Sequence, residues 1–391
     1  MTHAEHARTL FEEHDHCVVR EVTALNCRHS TMWGALHAVL GGPLGPVQER
    51  QLGISLEGRP IRMLSFGRGP TPVLMWSQMH GDESTATLAL LDMTRFLVER
   101  GGIEPWVRSV ADALTLHWIP MLNPDGAEHR RRHTAVHIDV NRDAQKLASP
   151  EARVLRNAHR LLNPAFGFNL HDQEVRSAGN SPQVTALALL APPADAEGTV
   201  SPSRLGAMQL ASVIVEGLHQ FIAGHMATYD DSYEPRAFGD TMQSWGTSTL
   251  LIESGQWPGD PEKVFIRKLT FVALLTSFGA LASGSYKNVD VGTYAGLKKN
   301  GTRMFDIIIR GIRLWHHSGW EHPVDLGMMR VKGKALAEAT VFIEEVGDLS
   351  THGALETWHA DGVRLSADDI VVDTEVPLRE VFRNAGITGA A

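Results

Sequence analysis

The sequence predicts an α/β protein, a sheet with helices on both faces, followed by a separate all-β module. Three observations predict it. Compact apolar runs of strand length alternate with longer helical patterns over residues 1–285. Beyond ASGSYKN (282–288) the chain turns to short β-type runs separated by turn residues. The polar groups best suited to chemistry follow the strand-like runs, where open α/β sheets place their ligands.

Residues 1–45 read as a helical and loop-like extension ending in the helix-breaking GGPLGP. QLGISLEGRPIRMLSFGRG gives two short β-type runs joined by a turn, and PVLMWSQ is a compact apolar run suited to a buried strand. A helical stretch follows over 84–99, where Leu88, Leu91 and Phe96 form one face. Further β-type runs are ALTLHWIPML (113–122), AFGFNLH (165–171), VTALALLA (184–191) and STLLIES (248–254), with helical patterns near 150–162, 203–224 and 260–283. FDIIIRGIRLW, VDLGMMRVKG, ATVFIEEVGDL and GVRLSADDIVVD form the last module, expected to be a sandwich or small barrel. The expected division is a catalytic domain over 1–285, including the 1–45 extension, and a β domain over 286–391.

The 391 residues suffice for two domains, and 43% hydrophobic with 21% charged residues is ordinary globular composition. A formal charge of −9 argues against nucleic acid or an anionic membrane as main partner, although HRRRH (129–133) is locally basic. The stretch MTHAEHARTLFEEHDH lacks the apolar core of a signal peptide, and no run approaches roughly 18 continuous apolar residues. Two cysteines, Cys17 and Cys27, imply no disulfide framework. The expectation is a cytoplasmic protein.

His80 and Glu83 follow PVLMWSQ, Asn123-Pro-Asp-Gly126 follows ALTLHWIPML, His171 ends AFGFNLH, and Glu253 lies at the end of STLLIES. Two histidines and a glutamate are a frequent catalytic zinc set, which His80, Glu83 and His171 would supply. Zinc brings the pKa of water to about 7, and Glu253 would be the carboxylate that takes the proton. A cation is still required for the oxyanion. His-x-x-Glu occurs twice, at His80–Glu83 and His171–Glu174, so spacing alone leaves the ligands open. The glycine-bearing turn into a long helix favours the first.

QMHGDESTAT, NPDGAEHRRRHTAVHIDVNRDA, FNLHDQ and TLLIESG, in this order, resemble the carboxypeptidase A-like zinc metallocarboxypeptidases, closest to a bacterial branch with HGxEST, NPDG, DxNRDA and HDQ motifs. The resemblance covers roughly residues 50–285 and implies a central mixed, mostly parallel sheet flanked by helices. It implies one zinc per chain on His80, Glu83 and His171, with Glu253 as catalytic glutamate and Arg132 as oxyanion-stabilising arginine. It further implies that Asn141 and Arg142 hold a terminal carboxylate and that Asp139 hydrogen-bonds the first zinc histidine. Either Tyr229 or Tyr233 would cap the substrate, with Tyr233 preferred. Thr134 and His137 depart from the usual R-x-N-x-x-G turn, and Arg130 and Arg131 rival Arg132 on chemistry.

The remaining histidines and tryptophans read as structural. His117 belongs to a strand, His129, His133 and His137 to a basic surface segment, and His14 and His16 to a solvated amino-terminal stretch. His316 and His317 lack a carboxylate at a recognisable spacing. Trp245 and Trp257 read as packing residues, and Asp125 and Asp143 as turn formers. No G-x-S-x-G elbow, Walker A loop, HExxH helix or Rossmann glycine fingerprint occurs. The leading expectation is a hydrolase that removes a carboxy-terminal amino acid from a peptide. Its rivals are a zinc deacylase of N-acyl amino acids and a silent binding module. Arg236, Phe238 and Asp240 would imply acidic, apolar or basic side-chain preference respectively.

Overall fold

A computed structural model of the chain describes residues 1–41, 45–100, 104–331, 339–360 and 362–387. The chain divides into two compact units. Unit 1 comprises Met1–Gln173, Ala186–Ser254 and Glu262–Lys299; unit 2 comprises Glu174–Thr185, Gly255–Pro261 and Asn300–Ala391.

Unit 1 opens with helices α1 (His3–Cys17) and α2 (His29–Leu40). Strands β1 (Gln48–Ile54), β2 (Pro60–Gly67) and β3 (Thr71–Trp76) lead into α3 (Thr85–Arg100). Then come α4 (Pro105–Ala113), β4 (Leu114–Ile119), the short α5 (Pro124–Glu128), α6 (Pro150–Leu162) and β5 (Phe166–Asp172). After β6 (Ser177–Ala178), which lies in unit 2, follow β7 (Leu187–Leu190), α7 (Pro202–Ile222) and β8 (Met226–Thr228). Next are α8 (Phe238–Ser244), β9 (Ser248–Ser254), α9 (Val264–Ser283), α10 (Gly292–Ala295) and the start of β10 (Lys298–Gly301).

The strand order is β1-β2-β4-β3-β5-β9-β7-β8, extended by Lys298 and Lys299 of β10. β4, β3, β5 and β9 run parallel to one another, β1 and β2 pair antiparallel with their neighbours, and β7 runs antiparallel to β9 but parallel to β8. The expected mixed sheet is therefore present, and its four central strands end on one edge. Its core strands are apolar on both faces, as burial between helices demands.

α7 and α9 are long and apolar enough to cross a membrane by length and composition, with mean hydropathy 1.2 and 1.6. Most of each is buried inside the unit, and Thr270, Thr276 and Ser277 interrupt the apolar run of α9. His14 is a correction to the sequence reading. It is buried rather than solvated, because α1 lays this face on the unit and His14 Nε2 meets the buried Asp92 carboxylate at 2.9 Å.

Unit 2 contains β11 (Met304–Trp315), β12 (Glu321–Arg330), β13 (Thr340–Gly347), β14 (Gly353–His359), β15 (Arg364–Ser366), β16 (Glu375–Pro377) and helix α11 (Leu378–Asn384). Its strands form one sheet, β14-β11-β12-β13-β16, with β15 also on β11. Ile307, Ile309, Leu326 and Met328 pack with Val381 and Phe382 of α11, so a helix contributes to the core of the expected all-β module.

The division also differs from the expected 285/286 boundary. Val175, Val184 and Trp257, from segments following β5 and β9, join Met304 in an apolar cluster of unit 2. Residues 286–299 stay with unit 1, where the Tyr294 hydroxyl accepts the Ala191 amide.

Glu151, in the first turn of α6, is fully buried, and neither carboxyl oxygen has a hydrogen-bond partner among the described residues. Burial, aided by Asp125 and Asp143, pushes its pKa to about 7 against the pull of its own amide. The folded state therefore holds this proton more tightly than the unfolded chain, and stability falls as pH rises from about 4.5 through 7. Glu151→Gln should remove that slope and gain on the order of 1–3 kcal/mol relative to wild type between pH 5 and 8, read by urea unfolding. Equal slopes in the two proteins would contradict this.

Candidate active site

The parallel run of β3, β4, β5 and β9 sets the geometry. His80 and Glu83 lie in the turn after β3, Asn123 follows β4, and His171 and Glu253 are the next-to-last residues of β5 and β9. His171 is paired directly with Glu253, and Asn169 with Leu251. Strand alternation then sends Asn169, His171, Leu251 and Glu253 to one face. Phe166 and Phe168 take the other, against Tyr286 and Phe278.

Close backbone approach explains the glycine between His80 and Glu83. A Cβ on Gly81 would lie 2.0 Å from the carbonyl carbon of Gly126, and one on Gly126 would lie 2.4 Å from Asn123 Nδ2. Asn123 Nδ2 donates to Met79 O and Arg132 O, both at 3.3 Å. Gln78 takes a left-handed backbone (φ 47°) while its side chain donates to Gly81 O at 2.9 Å. The NPDG loop thus clamps both the His-Gly-Asp-Glu turn and the arginine segment.

Within this clamp Glu83 bridges the histidines. Its Oε1 lies 2.9 Å from His80 Nδ1 and its Oε2 lies 2.8 Å from His171 Nδ1. One donor atom from each residue lies within 4.8 Å of the others, and all three side chains are buried. The set fits zinc: two imidazole nitrogens and a carboxylate, with the far nitrogen of His80 fixed by Asp139 Oδ1 at 2.9 Å. Burial opposes charge on both histidines. Glu83 and Asp139 together nevertheless hold His80 up at about 9, whereas on His171 burial, with His80 and Arg132 nearby, outweighs Glu83 and the pKa is lowered. Burial alone would raise Glu83, but the two histidines hold it well below the usual carboxylate range.

The other His-x-x-Glu match does not converge: Glu174 is exposed and pairs with Arg176 at 3.4 Å. In unit 2, Asp368 brings a carboxylate to His316 and His317 in space, on largely exposed side chains. That grouping was invisible to spacing.

Among the three consecutive arginines, Arg132 reaches the ligand set, donating to Glu83 Oε1 (3.2 Å) and Asp139 Oδ2 (3.1 and 3.2 Å). The departed turn closes by other means. Thr134 Oγ1 accepts the Ile138 amide at 3.1 Å, and His137 adopts φ 63° where a glycine would be unstrained. Asn141 Nδ2 is 3.5 Å from His171 Nε2, and its Oδ1 accepts the Phe238 amide at 3.0 Å. The Arg142 guanidinium donates to Asn141 O at 2.8 Å and lies 3.7 Å from Glu234, which Arg236 grips with two nitrogens. Glu253 is buried; Tyr233 is exposed on the segment between β8 and α8, while the Tyr229 amide donates to Leu189 O.

The specificity candidates separate. Arg236 is exposed and engaged by Glu234, Phe238 is wholly buried in the core, and Asp240 is buried with Oδ1 accepting the Glu234 amide. Burial pushes Asp240 to about 6. Structural readings hold for His117, bonded to Ser65 at 2.7 Å, for His129, which faces Glu57, and for Trp245, stacked by Arg156. Asp125 and Asp143 hold turns, the first binding Ser55 and the second the start of α6. Sequence reasoning missed Asn169, whose one signal was a polar residue inside the buried FNL run, and Glu234.

A mixed sheet carries a buried His–Glu–His set at its carboxyl edge, a donor set that can hold a catalytic zinc, with a further carboxylate paired beside it. Residues 47–180 match the family described as zinc carboxypeptidase, in line with the motif resemblance. Carboxypeptidase SOL1 of Arabidopsis thaliana is 29% identical over 98 residues, covering 24% of this chain and 20% of its own. Carboxypeptidase 2 of Trichophyton rubrum is 25% identical over 100 residues, covering 25% and 18%. The chain thus spans about a fifth of the length of these curated relatives. A metallo-carboxypeptidase from Burkholderia cenocepacia shares the fold with TM-score 0.51 and 19% identity, over 66% of this chain and 69% of that one. Thrombin activatable fibrinolysis inhibitor does so with TM-score 0.53 and 14% identity, over 72% and 81%.

The strained turn makes a direct prediction. His137→Gly should relieve the left-handed backbone and gain about 0.5–1 kcal/mol, whereas His137→Val should lose at least as much. Thermal unfolding of the two variants checks this; equal Tm values would refute it.

Proposed function

We propose that the chain is a zinc-dependent carboxypeptidase that hydrolyses the last peptide bond of a substrate with a free terminal carboxylate. The observation that carries the reading is Glu83 bridging two histidine Nδ1 atoms, with Arg132 on the same carboxylate and Glu253 paired to His171. One zinc per chain would be held by His80, Glu83 and His171, and would supply a Lewis acid that polarises the scissile carbonyl and acidifies water. Glu253 takes the proton of the attacking water and passes it to the leaving amine. Arg132, already oriented by Glu83 and Asp139, faces the oxyanion with its remaining N–H groups. Asn141 and Arg142 grip the terminal carboxylate, and Tyr233 closes over the substrate from its exposed segment.

His80→Ala and His171→Ala should each abolish stoichiometric zinc, measured by metal analysis on folded protein. Full occupancy in both would remove the assignment. Glu253→Gln should retain zinc and substrate affinity while turnover falls about 10²–10⁴-fold. A loss below tenfold would place the base elsewhere.

Terminal carboxylate recognition separates this reading from endopeptidase chemistry. Amidating the substrate terminus, or replacing Arg142 with Ala, should each cost on the order of 2–5 kcal/mol in kcat/KM. Together they should cost much less than the sum, since both remove one contact. Equal cleavage of free and amidated peptides by the wild type is the outcome that defeats the proposal. Turnover of N-acyl amino acids without peptides would make the chain a deacylase on the same site.

A further inference from the structure

Asn169 carries an amide that the folded chain does not use. It is fully buried in β5, yet neither Oδ1 nor Nδ2 has a hydrogen-bond partner among the described residues. Unpaired buried amides cost stability and are rare. This one lies two residues before His171 on the same face of the strand. Beside it stands Gly239 of α8, where a methyl would rest 3.5 Å from Asn169 Nδ2. One helical turn on, Gln243 accepts the Thr249 amide through Oε1 while its own buried Nε2 has no partner among the described residues.

We infer that Asn169 reads the side chain of the substrate's terminal residue and selects a neutral hydrogen-bonding group, above all the carboxamide of Asn or Gln. The inference rests on the carboxypeptidase reading. With the carboxylate at Asn141 and Arg142 and the scissile carbonyl at the His80–Glu83–His171 set, the terminal side chain departs from the carbon between them. Asn141 joins these two places, lying 3.5 Å from His171 and bonding the amide of Phe238, the neighbour of Gly239. The strand face that carries His171 also carries Asn169, and on this reading the terminal side chain is directed to it. An amide offers two donors and an acceptor and complements another amide on both counts. The one acid on this helix, Asp240, already accepts the Glu234 amide at 3.0 Å and is engaged before a cationic side chain could meet it.

The test measures kcat/KM of the zinc enzyme on N-blocked dipeptides ending in Gln, Asn, Leu, Lys or Glu. Wild type should favour Gln or Asn over the near-isosteric Leu by tenfold or more, because an apolar side chain leaves the amide unpaired. Asn169→Leu should reverse that order, and its Tm should equal or exceed that of wild type, since the amide stabilises nothing in the folded chain. A wild type that prefers Leu, Lys or Glu overturns the inference and leaves the carboxypeptidase reading standing. So does an Asn169→Leu protein with lowered Tm and unchanged selectivity, which would mark the amide as structural. Cleavage of none of the five by zinc-loaded enzyme defeats the carboxypeptidase reading, and the inference with it.

Discussion

Burial of the Glu83 carboxylate is the constraint on which the rest of unit 1 depends. An ionised carboxylate taken out of water costs several kcal/mol unless opposite charge and hydrogen bonds surround it. His80, His171, Arg132 and the Asp172 amide all reach its two oxygens. Satisfying it brings three separate chain segments to one point. The close packing of Gly81 on Gly126 belongs to the same turn, since a side chain at position 81 would collide with the Gly126–Ala127 backbone. Asp139 answers a second demand by fixing the far side of His80 and the near side of Arg132. Two carboxylates, Glu83 and Asp139, thus gather around the Arg132 guanidinium.

A second buried network holds the strand ends together from behind. Asp172 accepts from Thr85 at the start of α3 and pairs with Lys263, which also donates to Ser254 O at 3.3 Å. The ends of β5 and β9 and the beginning of α3 are thereby tied through one carboxylate. Further along the same helices, Asp92 of α3 binds Arg267 of α9, His14 of α1 and the Val19 amide. The amino-terminal helix is therefore part of the scaffold that sets the distance between the Glu83 turn and the Glu253 strand.

How far the sequence revealed this depended on the range of the interactions. The central strands and long helices were legible because each carries its own periodicity: PVLMWSQ, STLLIES and the face of Leu88, Leu91 and Phe96 need no partner to be recognised. Strand ends were legible in turn, since polarity changes abruptly at His80, His171 and Glu253. Pairings across long sequence separations left no such trace. His14 looked solvated because its partner Asp92 lies far along the chain, within an ordinary helical pattern. The unit boundary was misplaced for the same reason: nothing near Val175, Val184 or Trp257 in the sequence points to Met304, the residue they cluster with. Asn169 was hidden because its lack of a partner is a property of the packed strand alone.

The region around Arg142 shows how such a site can be ready for a carboxylate without being closed by one. Arg236 holds Glu234 with two hydrogen bonds and keeps its pKa down at about 2, so Glu234 is charged throughout the neutral range. At 3.7 Å from Arg142 it is too distant for a hydrogen bond but close enough to offset part of the guanidinium charge. A guanidinium with no anion nearby would attract any anion; one fully paired would reject the substrate. The loose contact lies between these limits, with Asn141 O fixing the fork at 2.8 Å. On the proposed reading a terminal carboxylate would gain by matching the fork in two places where Glu234 reaches it in none, and selectivity for a free terminus would come from geometry as much as from charge.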